Sequence, residues 1–387
     1  MGAKKYAYIN PEMLRWARGE TPFSSIHDVL ARRPKLTYEK VEAWENGEEY
    51  PSISEAKDLA MLYDVPFACF FFTTTPNKKP RAFTDRRMAY AQIAGEISYE
   101  LWREIRRITA NREIAIDTDN DFFGNTNRLP EITHDESISS VATKIRSYLG
   151  VDTPFRYKSQ YNNSAFNYFR SLFENRGIMI AQMSGVPVSE IRGLSIYNEV
   201  MPIIAVNSSD WERAKVFTLF HEMAHLLRRS SSICLIDFDE QNDDEEKICD
   251  RIAAESLLPE SSFRQVISDM GIGVADWDNL SLLSVADRFA VSTVVVLRRL
   301  YDLKIIDFEY YVARYKEMEM EVKEQAKSKK SFPVKYHYKY LNQQGYLFPK
   351  VMLSAYANGN ISYGEMCRSL NIDTMHIGNV ERVVMSK

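Results

Sequence analysis

Between Phe217 and Leu227 the chain reads Phe-Thr-Leu-Phe-His-Glu-Met-Ala-His-Leu-Leu, and no other stretch limits its fold so strongly. On a helix, residues four apart lie nearly one above the other, so His221 and His225 can present two imidazoles to one metal ion. Glu222 is rotated off that line but stays near enough to act on a metal-held water. The pattern is H-E-x-x-H. Phe217, Leu219, Phe220, Ala224 and Leu227 would bury the helix and keep bulk water out. The bland alternative is a core helix that happens to carry two histidines. With only 6 His in 387 residues, chance assembly of the pattern is on the order of one in a hundred.

A chain of this length has room for two or three domains and sizeable cores. Its 45% hydrophobic and 26% charged content is that of an ordinary globular protein. A net charge of only −4 gives the whole molecule no polyanion-binding character. Cys69, Cys234, Cys249 and Cys367 lie far apart without a C-x-x-C pair, which predicts free thiols in a reducing compartment. The N-terminus lacks an apolar signal core, and no apolar run reaches membrane-spanning length. The expectation is a cytoplasmic protein with no membrane partner.

Residues 1–75 read as a bundle of short helices. Asn10-Pro11 starts one over Glu12–Arg18, and Ser24 or Ser25 caps Ile26–Arg32. Thr37 opens a third, with Val41 and Trp44 apolar and Asn46-Gly47 as its C-cap. Pro51-Ser52 leads into a fourth with Ala56, Leu59, Ala60 and Tyr63. The Trp44-Glu45-Asn46-Gly47 turn, Pro51 and the Leu59-Ala60…Tyr63 helix resemble the XRE (Cro-like) helix-turn-helix. That resemblance implies DNA contact through residues 10–65. Charge argues the other way: to residue 75 there are nine Lys/Arg against eleven Asp/Glu, net −2. The helix in the reading position carries Glu39, Glu42 and Glu45 against Lys40 alone, a poor start for neutralising phosphates. The same fold can dock on protein instead.

Phe70-Phe71-Phe72 forms an apolar anchor before a Pro/Lys linker at Pro76–Pro80, and a helical pattern runs from Ala89 to Asn111. Ser137–Leu149 and Asn163–Glu174 give two amphipathic helices. Three β-like runs follow, Ile178–Ala181, Glu190–Ile196 and Pro202–Asn207, predicting a small sheet before the histidine helix, which Asp210 or a neighbour would cap. Ser284–Ser292 and Val295–Leu300 form another helix-turn-helix, apolar enough to pack on the core. Residues 316–331 read as a charged helix end and linker, and 332–387 as an aromatic-rich appendage with a helix Ser362–Leu370.

Two histidines do not complete a catalytic zinc site, which takes a third protein ligand and leaves one position for water. His27, His134, His337 and His376 have no placement that singles them out. The better source is the helical pattern Asp243–Pro259, where Glu246 and Asp250 stack one turn apart and can face the same way. Glu246 also ends an acidic run that could be a solvated helix start.

Here the sequence resembles the ImmA/IrrE family of zinc metallopeptidases. The likeness lies in Glu190-Ile191-Arg192-Gly193-Leu194-Ser195, in Pro202…Val206-Asn207 and in Phe217–Leu227. The family's second signature, E-x-x-A-N-x-F-A-A-x-L-L-x-P, aligns with Glu246–Pro259, departing from it with Cys249 for Ala, Asp250 for Asn and Ile252 for Phe. The resemblance implies Zn2+ held by His221, His225 and Glu246, with Glu222 as general base.

The expected architecture is therefore α+β and mostly helical. It comprises a helix-turn-helix domain at 1–75, a helical linker region at 76–160, a zincin-like peptidase domain with a small sheet at 161–315, and a charged linker with a C-terminal helical accessory domain at 316–387. The family implies limited, site-specific cleavage of a protein substrate, usually a helix-turn-helix transcriptional repressor, in stress, phage or mobile-element responses. The N-terminal module supports a rival reading, a DNA-binding transcriptional regulator or antitoxin-like protein whose peptidase fold is non-proteolytic. No pattern in the chain specifies an oligomeric state.

Overall fold

A computed structural model of the chain describes residues 5–76, 97–119, 122, 128–151, 164–229, 233–235, 243–271, 277–327 and 334–386. The linker expected at 77–80, the 89–96 beginning of the next helix and the 328–331 end of the charged linker lie outside these described residues. Two compact units are present, Met1–Arg107 and Ile108–Lys387.

In the first unit, α1 (Pro11–Gly19), α2 (Ile26–Arg32), α3 (Tyr38–Asn46) and α4 (Ile53–Leu62) precede a 3-10 turn at Phe67–Phe71. The local signals act as their chemistry predicts. Asn10 Oδ1 accepts from the Glu12 N–H at 3.0 Å, and Ser25 with Asp28 and Ser52 with Glu55 form capping boxes. Gly47 closes α3 at φ +76°, a conformation that side chains disfavour. Leu14, Val29, Val41, Trp44, Leu59 and Phe70 fill the core between them. Of the three acidic residues on α3, Glu39 and Glu42 are exposed, whereas Glu45 is buried and receives two hydrogen bonds from Arg18 at 2.8 and 3.0 Å. The fifth helix, α5 (Tyr99–Thr118), begins in this unit and ends in the second.

The second unit is mostly helical around a four-stranded sheet. Its strands are β1 (Met179–Met183), β2 (Ile191–Ile196), β3 (Ile203–Asn207) and β4 (Ile233–Leu235), in spatial order β1-β3-β2-β4. β1 runs parallel to β3, and β2 is antiparallel to both β3 and β4. β1 and β3 are buried along their whole length, which is why they read as continuous apolar runs rather than alternating ones. The runs expected as strands correspond to β1–β3. β4, three residues long, carries too little pattern to stand out.

Around the sheet lie α6 (Ile138–Leu149), α7 (Ala165–Glu174), α8 (Glu212–Arg228), α9 (Asp243–Leu257), α10 (Glu260–Met270), α11 (Asn279–Phe289), α12 (Thr293–Asp302) and α13 (Phe308–Lys327). Phe169, Phe173, Phe220, Leu219, Ile252, Leu257, Leu297 and Leu300 share one core. Phe169 and Phe173 of α7 meet Phe220 of α8 edge-to-face at 5.2 and 5.5 Å, anchoring the histidine helix by its apolar side. The apolar faces of α11 and α12 enter the same core through Leu282, Val285, Val296 and Leu297. Among the described residues no single helix is long and apolar enough to cross a membrane. The α11–α12 pair qualifies only jointly and is bent by 96°.

Asp210 does not cap α8. The N-cap is Trp211, without a side-chain bond, because Asp210 is turned toward Arg192 of β2 at 3.0 Å. After α13 come α14 (Tyr336–Gln344), α15 (Leu347–Ala357), α16 (Tyr363–Leu370) and α17 (Thr374–Val384). α14 and α15 pack against β1, covering an edge strand that would otherwise offer free backbone groups. At their junction the buried Glu174 carboxylate accepts the Tyr346 and Leu347 N–H groups at 2.6 and 3.2 Å.

Candidate metal centre

α8 is a long helix whose Leu, Ala, Glu and Arg residues are strong helix formers, and it is buried from Thr218 to Leu227 without a break. Burial on that scale demands partners for every polar side chain it carries. The buried polar residues on it are Lys215, Thr218, His221, Glu222 and His225, with exposures of 6%, 6%, 9%, 1% and 1%.

The two imidazoles point the same way. His221 Nε2 and His225 Nε2 stand 3.0 Å apart. Glu246, from the first turns of α9, closes the triangle with Oε2 at 3.1 Å from His221 Nε2 and Oε1 at 3.4 Å from His225 Nε2. Four-coordinate zinc with bonds of about 2.0–2.1 Å has ligand atoms about 3.3 Å apart, so this spacing suits a cation at the centre. Without one, two ring nitrogens and a carboxylate would crowd their lone pairs together. The donor set, two imidazole nitrogens and one carboxylate, is a borderline-soft combination that suits zinc. His221, His225 and Glu246 can thus hold one metal ion between them. Burial pushes the Glu246 carboxyl up, but the two imidazoles outweigh it and hold the group below the usual carboxylate range. Its side chain is 37% exposed against 11% and 1% for the histidines, so the open side of the centre is the Glu246 side.

The ring atoms that face away from the triangle also have partners. His221 Nδ1 lies 2.9 Å from Asp250 Oδ1, and His225 Nδ1 lies 3.6 Å from Cys249 Sγ.

Glu222 lies beside this cluster, near enough that His221, His225 and Glu246 all act on its carboxyl. One of its oxygens, Oε2, is buried without a hydrogen-bond partner among the described residues. Burial raises its carboxyl above the ordinary value, while His221, His225 and Ser195 nearby pull it back in part. A carboxylate so placed is ready to take a proton and to give it up again.

Two supports of this arrangement had weak sequence signals. Gly193 lies where β2 crosses α8. A Cβ at this position would stand 2.3 Å from Thr218 Cγ2 and 2.8 Å from Glu222 Oε1. A glycine inside a strand is the available sign of such close approach. Arg228, at the end of α8, forms a two-point ion pair with Glu245, the residue before Glu246, and so ties α9 to α8 beside the ligand. Only an acidic run following a basic helix end hints at it. The other histidines stay out of the centre: His134 Nδ1 lies 3.4 Å from Arg228 Nη2, while His27, His337 and His376 rest against Tyr38, Tyr338 and Tyr336.

Residues 173–301 match the family model of the IrrE N-terminal-like domain of Peptidase_M78. The match supports the ImmA/IrrE family and a metallopeptidase-type activity. The matched residues include His221, His225 and Glu246, and Glu222 beside them. No curated protein matches the chain significantly.

Proposed function

We propose that this chain is a regulatory zinc-dependent endopeptidase that cuts a partner protein at selected sites. Carrying the reading is the convergence of His221, His225 and Glu246 beside Glu222, a buried carboxylate with one unpartnered oxygen. When bound, the zinc ion supplies a Lewis acid that acidifies water and polarises a peptide carbonyl. The chain's own residues do the rest. His221, His225 and Glu246 hold the cation, Glu222 takes the proton of the attacking water at Oε2, and the same oxygen returns it to the leaving amine. Phe217, Phe220 and the buried length of α8 exclude bulk water from these groups, which strengthens every electrostatic contact among them.

The substrate we infer is a helix-turn-helix transcriptional repressor, cut in a stress, phage or mobile-element response, as the family resemblance implies. We read residues 1–75 as a helix-turn-helix module that docks on protein. The exposed face of α3 carries Glu39 and Glu42, which repel phosphates, and Glu45 is spent on an internal pair with Arg18. DNA binding through residues 10–65 is the rival. An operator shift that survives Glu222→Gln, with no cleavage by the unaltered protein, would decide for it.

The decisive test is co-expression with a candidate repressor encoded beside the gene. The unaltered protein should yield two discrete repressor fragments. Chelation or Glu222→Gln should abolish them, while zinc content in Glu222→Gln stays near one per chain. Fragments that persist in Glu222→Gln would sink the mechanism, and undiminished zinc in His221→Ala would sink the site.

A further inference from the structure

One turn of α9 does more than contribute a ligand. Glu246, Cys249 and Asp250 lie at spacings of three and four, so their side chains share a face. Glu246 meets the Nε2 atoms of both histidines, and the two residues that follow on that face meet their Nδ1 atoms, Asp250 behind His221 and Cys249 behind His225. Each imidazole is thus approached from front and back by the same helical turn.

The two backing contacts differ in kind. Asp250 Oδ1 to His221 Nδ1 at 2.9 Å has the length of a charge-assisted hydrogen bond, and an ionised carboxylate can only accept. It therefore requires the ring proton on Nδ1 and leaves the Nε2 lone pair aimed at the centre. Cys249 Sγ to His225 Nδ1 at 3.6 Å is a thiol contact, weak as donor and as acceptor, and imposes no such choice. Cys249 is fully buried, whereas the Asp250 side chain is 44% exposed. Both positions depart from the signature this segment resembles, which has Ala and Asn there.

We propose that Asp250 is a positioning residue that locks His221 in its Nδ1–H tautomer and strengthens cation binding, while Cys249 only fills space behind His225. This inference rests on the zinc-site reading above, and the experiment separates the two. A carboxylate behind a ligating imidazole fixes the ring and raises its basicity, and removing such a partner costs about 10–100-fold in metal affinity.

Full-length protein, stripped of metal, is titrated with zinc against a chromophoric chelator, and imidazole 15N–1H correlations report the tautomer of each histidine. Asp250→Ala should bind zinc about 10–100-fold more weakly and lose the single Nδ1–H pattern of His221. Asp250→Asn, whose amide oxygen can still accept from Nδ1–H, should restore the tautomer and recover most of the affinity. Cys249→Ala should leave both readouts within about threefold of the unaltered protein, well short of that range. The proposal is overturned if Asp250→Ala keeps the affinity and the tautomer, if Asp250→Asn is as impaired as Asp250→Ala, or if Cys249→Ala is the more damaging change. His221→Ala tests the underlying reading: if it binds zinc undiminished, the ligand set is wrong. If it loses zinc while Asp250→Ala does not, only the positioning role fails.

Discussion

Gly193 of β2 and Glu222 of α8 approach so closely that a β-carbon on the glycine would stand 2.8 Å from the Glu222 carboxylate. The strand thus forms a wall of the pocket in which the carboxylate sits. Gly193→Ala should push Thr218 and Glu222 aside, since the nearest atom, Thr218 Cγ2, would be only 2.3 Å away. The expected cost in stability is about 1–3 kcal/mol, read by denaturant unfolding. Peptidase activity should fall at least about tenfold, as small misplacements of a reacting group do. Zinc content should stay intact, because the three atoms nearest the added Cβ belong to Thr218 and Glu222 and not to a ligand.

The Arg228–Glu245 pair tests how firmly α9 is held beside α8. Arg228 is 8% exposed and Glu245 28%, and the guanidinium meets both carboxylate oxygens. The contact raises Arg228 and lowers Glu245 in pKa, through their hydrogen bonds first of all. Arg228→Met keeps most of the side-chain volume but leaves the acid without its partner. A loss of about 1–3 kcal/mol is expected, with faster zinc release, because Glu246 is the next residue. Unchanged zinc dissociation in a stopped-flow chelator assay would mean that the pair does not steady the ligand.

Gly345, at φ +77°, joins α14 to α15. A Cβ there would meet the Ile180 carbonyl oxygen at 2.1 Å and Glu174 Oε1 at 2.6 Å. Backbone cannot give way as a flexible side chain can, so Gly345→Ala should loosen the C-terminal helices from β1. Limited proteolysis should then digest the C-terminal helices faster than in the unaltered protein. Equal resistance would show that the junction tolerates the methyl group.

Glu174 supplies a pH test away from the metal centre. Burial raises its carboxyl, outweighing Arg170 and the N–H groups of Tyr346 and Leu347. Because its folded pKa lies above the unfolded value of about 4.3, the native state binds the proton more tightly. Its contribution is full below that value and is lost as pH rises toward the raised one. Glu174→Gln keeps an acceptor for the two N–H groups and removes the titration. Relative to the unaltered protein, the variant should therefore gain stability steadily from pH 4 upward. Parallel stability–pH curves for the two would show that folding leaves the Glu174 pKa unshifted, and a relative loss of stability in the variant from pH 4 upward would show that the fold favours the ionised carboxylate.

The chemistry of the centre was legible from short-range pattern. His221, Glu222 and His225 follow from helical spacing, and the caps at Asn10 and Gly47 from residue type, while the α2 cap was narrowed to Ser24 or Ser25 and falls on Ser25. Such signals need only a few consecutive residues, since local backbone geometry is what they encode. Spacing within the 243–259 pattern left Glu246 and Asp250 equivalent, because both lie on the same face one turn apart. Only the packing of α9 on α8 separates them, with Glu246 in front of the rings at 3.1 and 3.4 Å and Asp250 behind His221 at 2.9 Å.

Contacts across the chain were decided by tertiary structure alone. Asp210 was a reasonable cap until Arg192, eighteen residues earlier, claimed it. Gly193 was a residue in a strand until α8 came within reach, and Glu174 an ordinary helix end until residues 346 and 347 gave it their N–H groups. By itself, the sequence determined that one helix offers two imidazoles and a carboxylate. The fold decided which carboxylate faces them, which stands behind and how close the strand may come, because those outcomes depend on how distant segments pack rather than on the period of any one of them.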